Sequence, residues 1–260
     1  MIPAGGTLIL AGAWVAMIWA WLRQRRTGEA DVVDVVWTAG LGGAAIAWAL
    51  LLDPFPAPRR MLVAGIAAAW SLRLSLHLLE RARRPGEDGR YAALRRRWGD
   101  AASWKFLLFF LAQGVTVAAL SLHFALAMMV EGGLRWLDAA GALIAAVAVV
   151  GEAVADRQLA AFRSDPANDG RVCRSGLWGR SRHPNYFFEW LHWWAYVPIA
   201  WGSPRWAWTL VAPAVMYVLL RHGTGVAATE AQALRSRGEA YRSYQREVPA
   251  FFPRLGSRED

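Results

Sequence analysis

The sequence predicts an all-α, polytopic integral membrane protein with about seven transmembrane helices. Three observations predict it. Apolar residues fill 56% of the 260 positions, tryptophan alone occurs 16 times, and mean hydropathy is positive, an unusual balance for a soluble domain. These residues gather into seven segments, and the basic residues gather into alternate connections between them.

The apolar segments run approximately over residues 3–22, 35–52, 61–79, 106–130, 136–155, 186–201 and 206–220. A hydrocarbon core of about 30 Å needs about 20 helical residues. The first and fourth segments meet that length easily. The first lacks a basic leader and is too long for a signal-peptide core, so it reads as a mature span. The sixth and seventh are short, which predicts a helical hairpin about Gly202-Ser203-Pro204. Arg23, Arg25 and Arg26 follow the first segment, a dense basic cluster over 81–105 follows the third, and residues 157–182 carry another after the fifth. The tail after the seventh holds Arg221, Arg235, Arg237, Arg242, Arg246, Arg254 and Arg258, whereas the remaining connections carry only Arg59, Arg60, Arg135 and Arg205. Basic loops stay inside. This pattern predicts an outside N-terminus, an inside C-terminus and an odd number of spans.

The same rule accounts for most of the net charge of +9, so no nucleic-acid partner is expected. Lys105 is the single lysine among 29 basic side chains, a bias that GC-rich coding explains. A lone cysteine, Cys173, excludes an internal disulfide and a cysteine metal cluster. No dinucleotide-binding glycine fingerprint, phosphate-binding loop, H-E-x-x-H zinc motif or nucleophile elbow is present. No metal site is expected. No repeat is visible, and the polar stretches 80–104 and 163–185 read as connections inside one domain.

Polar stripes within the apolar helices mark a cavity. Asp31 and Asp34 open the second segment three residues apart, on one helical face. Capping at the membrane edge explains Asp31; Asp34, deeper, is the better candidate acid, since apolar shielding lets a carboxyl hold a proton. In the third segment Trp70, Arg73, His77, Arg81 and Arg84 form one stripe. Arg73 lies well inside the apolar run, where an arginine costs about 2.5–3.5 kcal/mol to insert, which points to a buried partner or a bound anion. Glu152, Asp156, Leu159 and Arg163 give a second stripe, read either as a cavity wall or as a solvated helix end. Gly176 to Trp190 brings Arg180, Arg182, His183, Asn185 and Glu189 to the start of a tryptophan-rich helix opened by Pro184, a suitable place for an anion. Asn185 and Glu189, four apart, suit recognition of an amide. Beyond the seventh segment, residues 229–253 read as a basic amphipathic helix on the inner surface, with Tyr241, Tyr244 and Arg246 folded back over the cavity. Gly40, Gly42 and Gly43 serve close helix packing or line an apolar pocket.

These motifs resemble the membrane-embedded steroid 5-alpha-reductase family, particularly its bacterial members. The resemblance rests on Gly176-Leu-Trp, on Arg182-His-Pro-Asn-Tyr186 with Glu189, and on Glu239-Ala-Tyr241 with the Pro249-Ala-Phe-Phe-Pro253 ending. Ala155-Asp156-Arg157 with Arg163, the stripe from Arg73 to Arg84-Pro85, and Gly86-Glu-Asp-Gly-Arg-Tyr91 extend it over roughly residues 30–255. It implies seven spans in a bacterial inner membrane, an active site open to the cytosol, and NADPH as cofactor. The implied reaction reduces the carbon–carbon double bond of a conjugated enone, such as a 3-oxo-4-ene steroid, in a lipophilic small-molecule substrate that arrives through membrane lipid. It also implies a monomer. By position, Arg73, Arg84, Asp156, Arg163, Arg182, Asn185, Tyr186, Glu189, Glu230, Tyr241 and Arg246 fall on the cofactor side, with Asn185 and Glu189 toward the nicotinamide amide. Asp34 falls where the family polarises the substrate carbonyl, and Trp70 falls where the family has a tyrosine. Glu230 stands where members often have histidine.

The resemblance divides the single domain (1–260) into substrate-side helices with a basic loop (1–104) and a cofactor-binding half (105–260). A second reading is an S-adenosylmethionine-dependent membrane methyltransferase of the isoprenylcysteine or phospholipid type, which shares an Arg-His-Pro-x-Tyr element and a similar Tyr/Pro-rich ending. Adenosylmethionine has no phosphate, so the arginine set favours the dinucleotide. A structural or lipid-binding protein, the third reading, explains the aromatics but not the buried polar stripes.

Overall fold

A computed structural model describes residues 2–83, 86–223 and 225–254. Every regular element among them is helical. In chain order these are α1 (Ile2–Thr27), α2 (Val32–Leu51), α3 (Ala57–Ala82), α4 (Gly89–Trp98), α5 (Ala102–Met128), α6 (Trp136–Ser164), α7 (Pro184–Trp194), α8 (Tyr196–Ala200), α9 (Val211–His222) and α10 (Val226–Glu247). Six runs are long and apolar enough to cross a membrane: α1, α2, α3, Gly89–Met128 with α4 and α5, α6, and Trp206–Glu247 with α9 and α10. The chain is an all-α, polytopic integral membrane protein.

The sixth apolar segment is too short to span as one helix. Pro198 has no N–H to give the Trp194 carbonyl, and its ring crowds that carbonyl. The helix accordingly breaks at Ala195, leaving α7 with 11 residues and α8 with five. Gly202, at φ +86°, then turns the chain toward the short 3-10 stretch Trp206–Leu210 that leads into α9.

By its internal contacts the chain forms two units. The first comprises Met1–Ala142 with Tyr196–Leu210, the second Leu143–Ala195 with Val211–Asp260. In the first, α2 and α3 pack antiparallel with α1 and α5 against them. α1 buries Gly5, Ile9, Ala13, Met17, Ala20 and Gln24, a stripe recurring every three to four residues. Gly42 lies so close to Ser71 that a Cβ there would overlap the serine side chain, which gives this glycine a packing role. The Ser71 hydroxyl donates to the Thr38 carbonyl at 2.8 Å and sets the α2/α3 register. The buried Trp48 donates through Nε1 to the Ser121 hydroxyl at 3.0 Å, and the half-buried Trp37 donates through Nε1 to that of Thr116 at 2.8 Å.

Arg59, at the start of α3, is wholly buried. Its guanidinium donates to both carboxylate oxygens of Asp138 and to the carbonyls of Val130, Gly132 and Gly133. One side chain thus satisfies the loop from α5 to α6, where backbone acceptors would otherwise stand open.

In the second unit the aromatic rings of Phe187, Trp190, Tyr217, Phe251 and Phe252 pack together, joining α7, α9 and the tail. α10 follows as the expected polar helix, kinked at Gly238 (φ 49°, ψ −122°), a left-handed geometry that glycine adopts without Cβ strain.

Candidate functional site

Each unit holds a polar centre of its own. In the first it surrounds the N-terminal turn of α2. Asp88 caps α4 by accepting from the Arg90 N–H at 2.8 Å. That cap directs the next two side chains back at α2. Tyr91 donates its hydroxyl to Asp34 Oδ1 at 2.6 Å, and Arg90 donates through Nη2 to Asp34 Oδ2 at 2.8 Å. The Asp88 N–H in turn donates to Asp31 at 3.0 Å, the Ala30 N–H donates to Glu87 at 3.1 Å, and Arg81 pairs with Asp88. Both acids of the α2 stripe therefore face the segment Glu87–Tyr91. Burial, together with the nearby carboxylates of Asp34 and Glu87, raises Asp31 to about 6, and Arg81 offsets only part of that.

Asp34 is half-buried and Tyr91 buried. An acid paired with a phenol at the end of an apolar helix can hand a hydrogen bond to a carbonyl oxygen, because the phenolic hydrogen rotates while Arg90 keeps the carboxylate in place. Tyr91 carried no site role in the sequence, where it figured only in a matching motif. The available signal was local: an Asp-Gly helix start followed at once by Arg-Tyr. Trp70 is fully buried on α3. The register fixed by Ser71 and Thr38 sets it about one helical turn deeper than Asp34, so the hydroxyl that meets Asp34 is the one on α4. Arg73 and His77 follow Trp70 on α3, both partly buried. Arg84 lies outside the described residues.

The second centre gathers most of the residues expected to hold a cofactor. Asn185, in the first turn of α7, donates through Nδ2 to Asp156 Oδ1 on α6 at 3.2 Å, and its Oδ1 accepts the Tyr186 N–H at 3.0 Å. The structure thus brings Asp156 and Asn185 together. One turn on, Glu189 is buried and accepts from Trp193 Nε1 at 3.3 Å. Glu152, one turn before Asp156, is also buried. Arg163 is exposed near the C-terminal end of α6.

Arg182 is engaged differently. Its Nε donates to Glu230 at 2.7 Å, and its Nη1 donates to the carbonyls of Gln245 and Val248 at 3.0 and 2.5 Å. Its backbone N–H donates to Pro249 at 2.9 Å. Glu230 also accepts from Gln245 at 2.9 Å and lies 3.2 Å from His183 Nε2. The Ser181 hydroxyl donates to the Phe251 carbonyl and that of Tyr244 to the Trp178 carbonyl. Arg182 and Glu230 therefore fasten the tail across the 178–183 corner. Burial lowers the affinity of His183 for a second proton, and Glu230 restores only part of it. Its ring stacks on Tyr186 at 5.5 Å, and the Tyr186 hydroxyl lies 3.3 Å from that of Thr229. Tyr241 is buried against Tyr244. Arg246 is exposed and pairs with Glu239 at 3.0 Å. Among the described residues no His, Cys, Asp and Glu cluster suits a metal ion.

The family model described as "Protein of unknown function (DUF1295)" matches residues 20–248. No curated protein and no solved structure gives a significant match.

Proposed function

Given that the chain belongs to the DUF1295 family, described as proteins of unknown function, we propose that it is a membrane-embedded, NADPH-dependent reductase. Its substrate is a lipid-soluble conjugated enone of the 3-oxo-4-ene steroid class, reduced at the carbon–carbon double bond. The observation that carries this reading is the 2.6 Å hydrogen bond from Tyr91 to Asp34, which positions a phenolic donor suited to a carbonyl oxygen and of no evident use in methyl transfer. On the reading by resemblance, the enzyme sits in a bacterial inner membrane, with its site open to the cytosol.

The residues of the second unit fit a dinucleotide in their donor chemistry. Asp156 and Asn185 offer an acceptor and a carboxamide on facing turns, and the exposed Arg163 suits a phosphate. Asp156, Arg163, Asn185, Tyr186 and Glu189 would hold the cofactor. Arg182 and Glu230 act one step removed, by fixing the corner from which α7 starts. Bound NADPH would supply the hydride for the β carbon, and water, directly or by a relay, the proton for the α carbon. The chain's own part is to bear the charge that then develops on the carbonyl oxygen. With substrate bound, Tyr91 gives its phenolic hydrogen to that oxygen instead of to Asp34, and Arg90 holds the released carboxylate in place. Such a donor, preorganised away from bulk water, is worth about 100- to 1,000-fold in rate.

Detergent-purified protein titrated with NADPH, NADH and S-adenosylmethionine, followed by tryptophan quenching and thermal unfolding, tests the reading. Binding of NADPH and enone-dependent NADPH oxidation are expected. Stabilisation by adenosylmethionine with no response to NADPH would overturn it in favour of a methyltransferase.

A further inference from the structure

The basic side chains at one end of the first unit fall into two sets. Arg81, Arg90 and Arg95 turn inward, onto Asp88, Asp34 and Glu87. The outer set is Arg23, Arg25 and Arg26 at the end of α1, Arg83 after α3, Arg96 and Arg97 on α4, and Lys105 at the start of α5. All but the half-buried Lys105 are exposed, and among the described residues none of the seven pairs with a carboxylate. The three remaining acids at this end, Glu29, Glu80 and Asp100, leave the outer surface with a clear positive excess.

These residues share one end because their elements do. Trp21 Nε1 of α1 donates to the Ser103 carbonyl of α5 at 2.9 Å. Arg95 of α4 lies over the Phe106 ring of α5 at 4.9 Å. Aromatic rings accompany the cations: Lys105 lies 5.7 Å from the exposed Trp104 ring, and Arg25 lies 5.0 Å from that of Trp21. At the opposite end of the unit three of the four arginines, all but the exposed Arg205, are spoken for. Arg59 holds Asp138, Arg60 donates to the Ala49 carbonyl, and Arg135 donates to the carbonyls of Ile199 and Trp201.

We infer that this end is a docking surface for the headgroups of anionic phospholipids. α4 carries four arginines in its ten residues and lies between the apolar helices α3 and α5, so it stands at the level where the chain leaves the hydrocarbon. It turns Tyr91 inward and Arg96 and Arg97 outward. Tryptophan with arginine or lysine at such a level is the composition of a membrane–water interface, and unpaired cations there attract an anionic leaflet. Guanidinium groups pair bidentately with a phosphodiester. The inference is independent of the reductase reading.

The test compares wild-type protein with Arg96→Gln/Arg97→Gln/Lys105→Gln in nanodiscs of pure phosphatidylcholine and of a phosphatidylcholine–phosphatidylglycerol mixture. The thermal midpoint is read, together with the phospholipid retained in native mass spectra. Wild type is expected to unfold at a higher temperature in the mixed discs and to retain phosphatidylglycerol selectively, with the effect fading at about 1 M salt, where the screening length is about 3 Å. The triple variant is expected to match wild type in phosphatidylcholine and to lose at least half of the shift. Equal shifts in the two proteins would overturn the inference. So would an equal shift from inorganic phosphate added to phosphatidylcholine discs, which would indicate a site for free phosphate. Should the triple variant fail to fold, the single variants Arg96→Gln and Arg97→Gln, both at exposed positions, carry the same comparison, and a full wild-type shift in each would overturn it.

Discussion

The guanidinium of Arg59 meets the carboxylate of Asp138 through two hydrogen bonds, at 2.8 and 3.1 Å. The pair stands at the opposite end of the first unit from Asp34, and its remaining donors close the loop before α6. Removing one partner of a buried pair leaves the other uncompensated, typically at about 3–5 kcal/mol. Arg59→Ala is therefore expected to lower stability by that order. Arg59→Met/Asp138→Leu should recover part of the loss, because both charges leave together, but not all of it, since the carbonyls of Val130, Gly132 and Gly133 lose their donor. Thermal unfolding in detergent checks both; a tolerated Arg59→Ala would show the clamp to be dispensable.

For the reaction, Tyr91→Phe and Asp34→Asn are each expected to lower kcat for enone reduction by about 100-fold or more, with NADPH affinity little changed. Trp70→Phe, a turn deeper, should fall short of either in its effect on kcat. The comparison needs only NADPH oxidation with saturating enone. A larger kcat loss in Trp70→Phe than in Tyr91→Phe would return the donor role to the indole.

Arg182→Gln should loosen the tail even without nucleotide. Its side chain reaches Glu230 and two carbonyls of the 245–248 segment, so its replacement removes three bonds at once. Faster amide exchange and proteolysis over residues 244–254 are expected in the apo protein. An arginine whose business was only phosphate would leave that segment unchanged until cofactor was added.

Two groups give opposite pH dependences. Asp31 is raised from 3.8 to about 6, so between these values the folded protein holds more protons than the unfolded chain, and stability falls as pH rises. Above about 6 the cost is complete. Asp31→Asn is therefore expected to stabilise the protein at pH 7, by about 1 kcal/mol once solvent screening of this half-exposed group is allowed for. His183 is lowered from 6.5, so the unfolded chain takes the extra proton first. Its contribution is complete above pH 6.5 and is lost as pH falls toward the folded value. Unfolding midpoints across pH 4–8 for wild type, Asp31→Asn and His183→Gln separate the two; a flat difference curve for either variant would exclude its assignment.

Periodicity revealed what belongs to a single helix. Asp31 and Asp34 do share a face and a neighbour, and the apolar segments locate α1, α2, α3, α5 and α6. Partnerships between distant residues had no such signal. Asp156 and Asn185 meet across 29 positions, and Arg59 meets Asp138 across 79. An acid two residues inside an apolar segment, as Asp138 is, needed a cation, but the sequence offered several. Arg182 misled most. An arginine before a helix start suggests an anion site, yet the acceptors that occupy it come from the tail, 63 and 66 residues later. Segment six read as short, as it is; the break at Ala195 within it went unseen because hydropathy does not register the missing N–H of Pro198.

The strap across the 178–183 corner bears on how the protein is made. Its acceptors at Gln245, Val248, Pro249 and Phe251 leave the ribosome 63 to 70 residues after Arg182 and Ser181. Throughout that interval the guanidinium of Arg182 stands without the carbonyls that later hold it, and α7 lacks its finished anchorage. Completion of the second unit therefore waits until translation has passed Phe251, and a chain stalled before Tyr244 would expose to quality-control proteases a corner that the finished strap keeps closed.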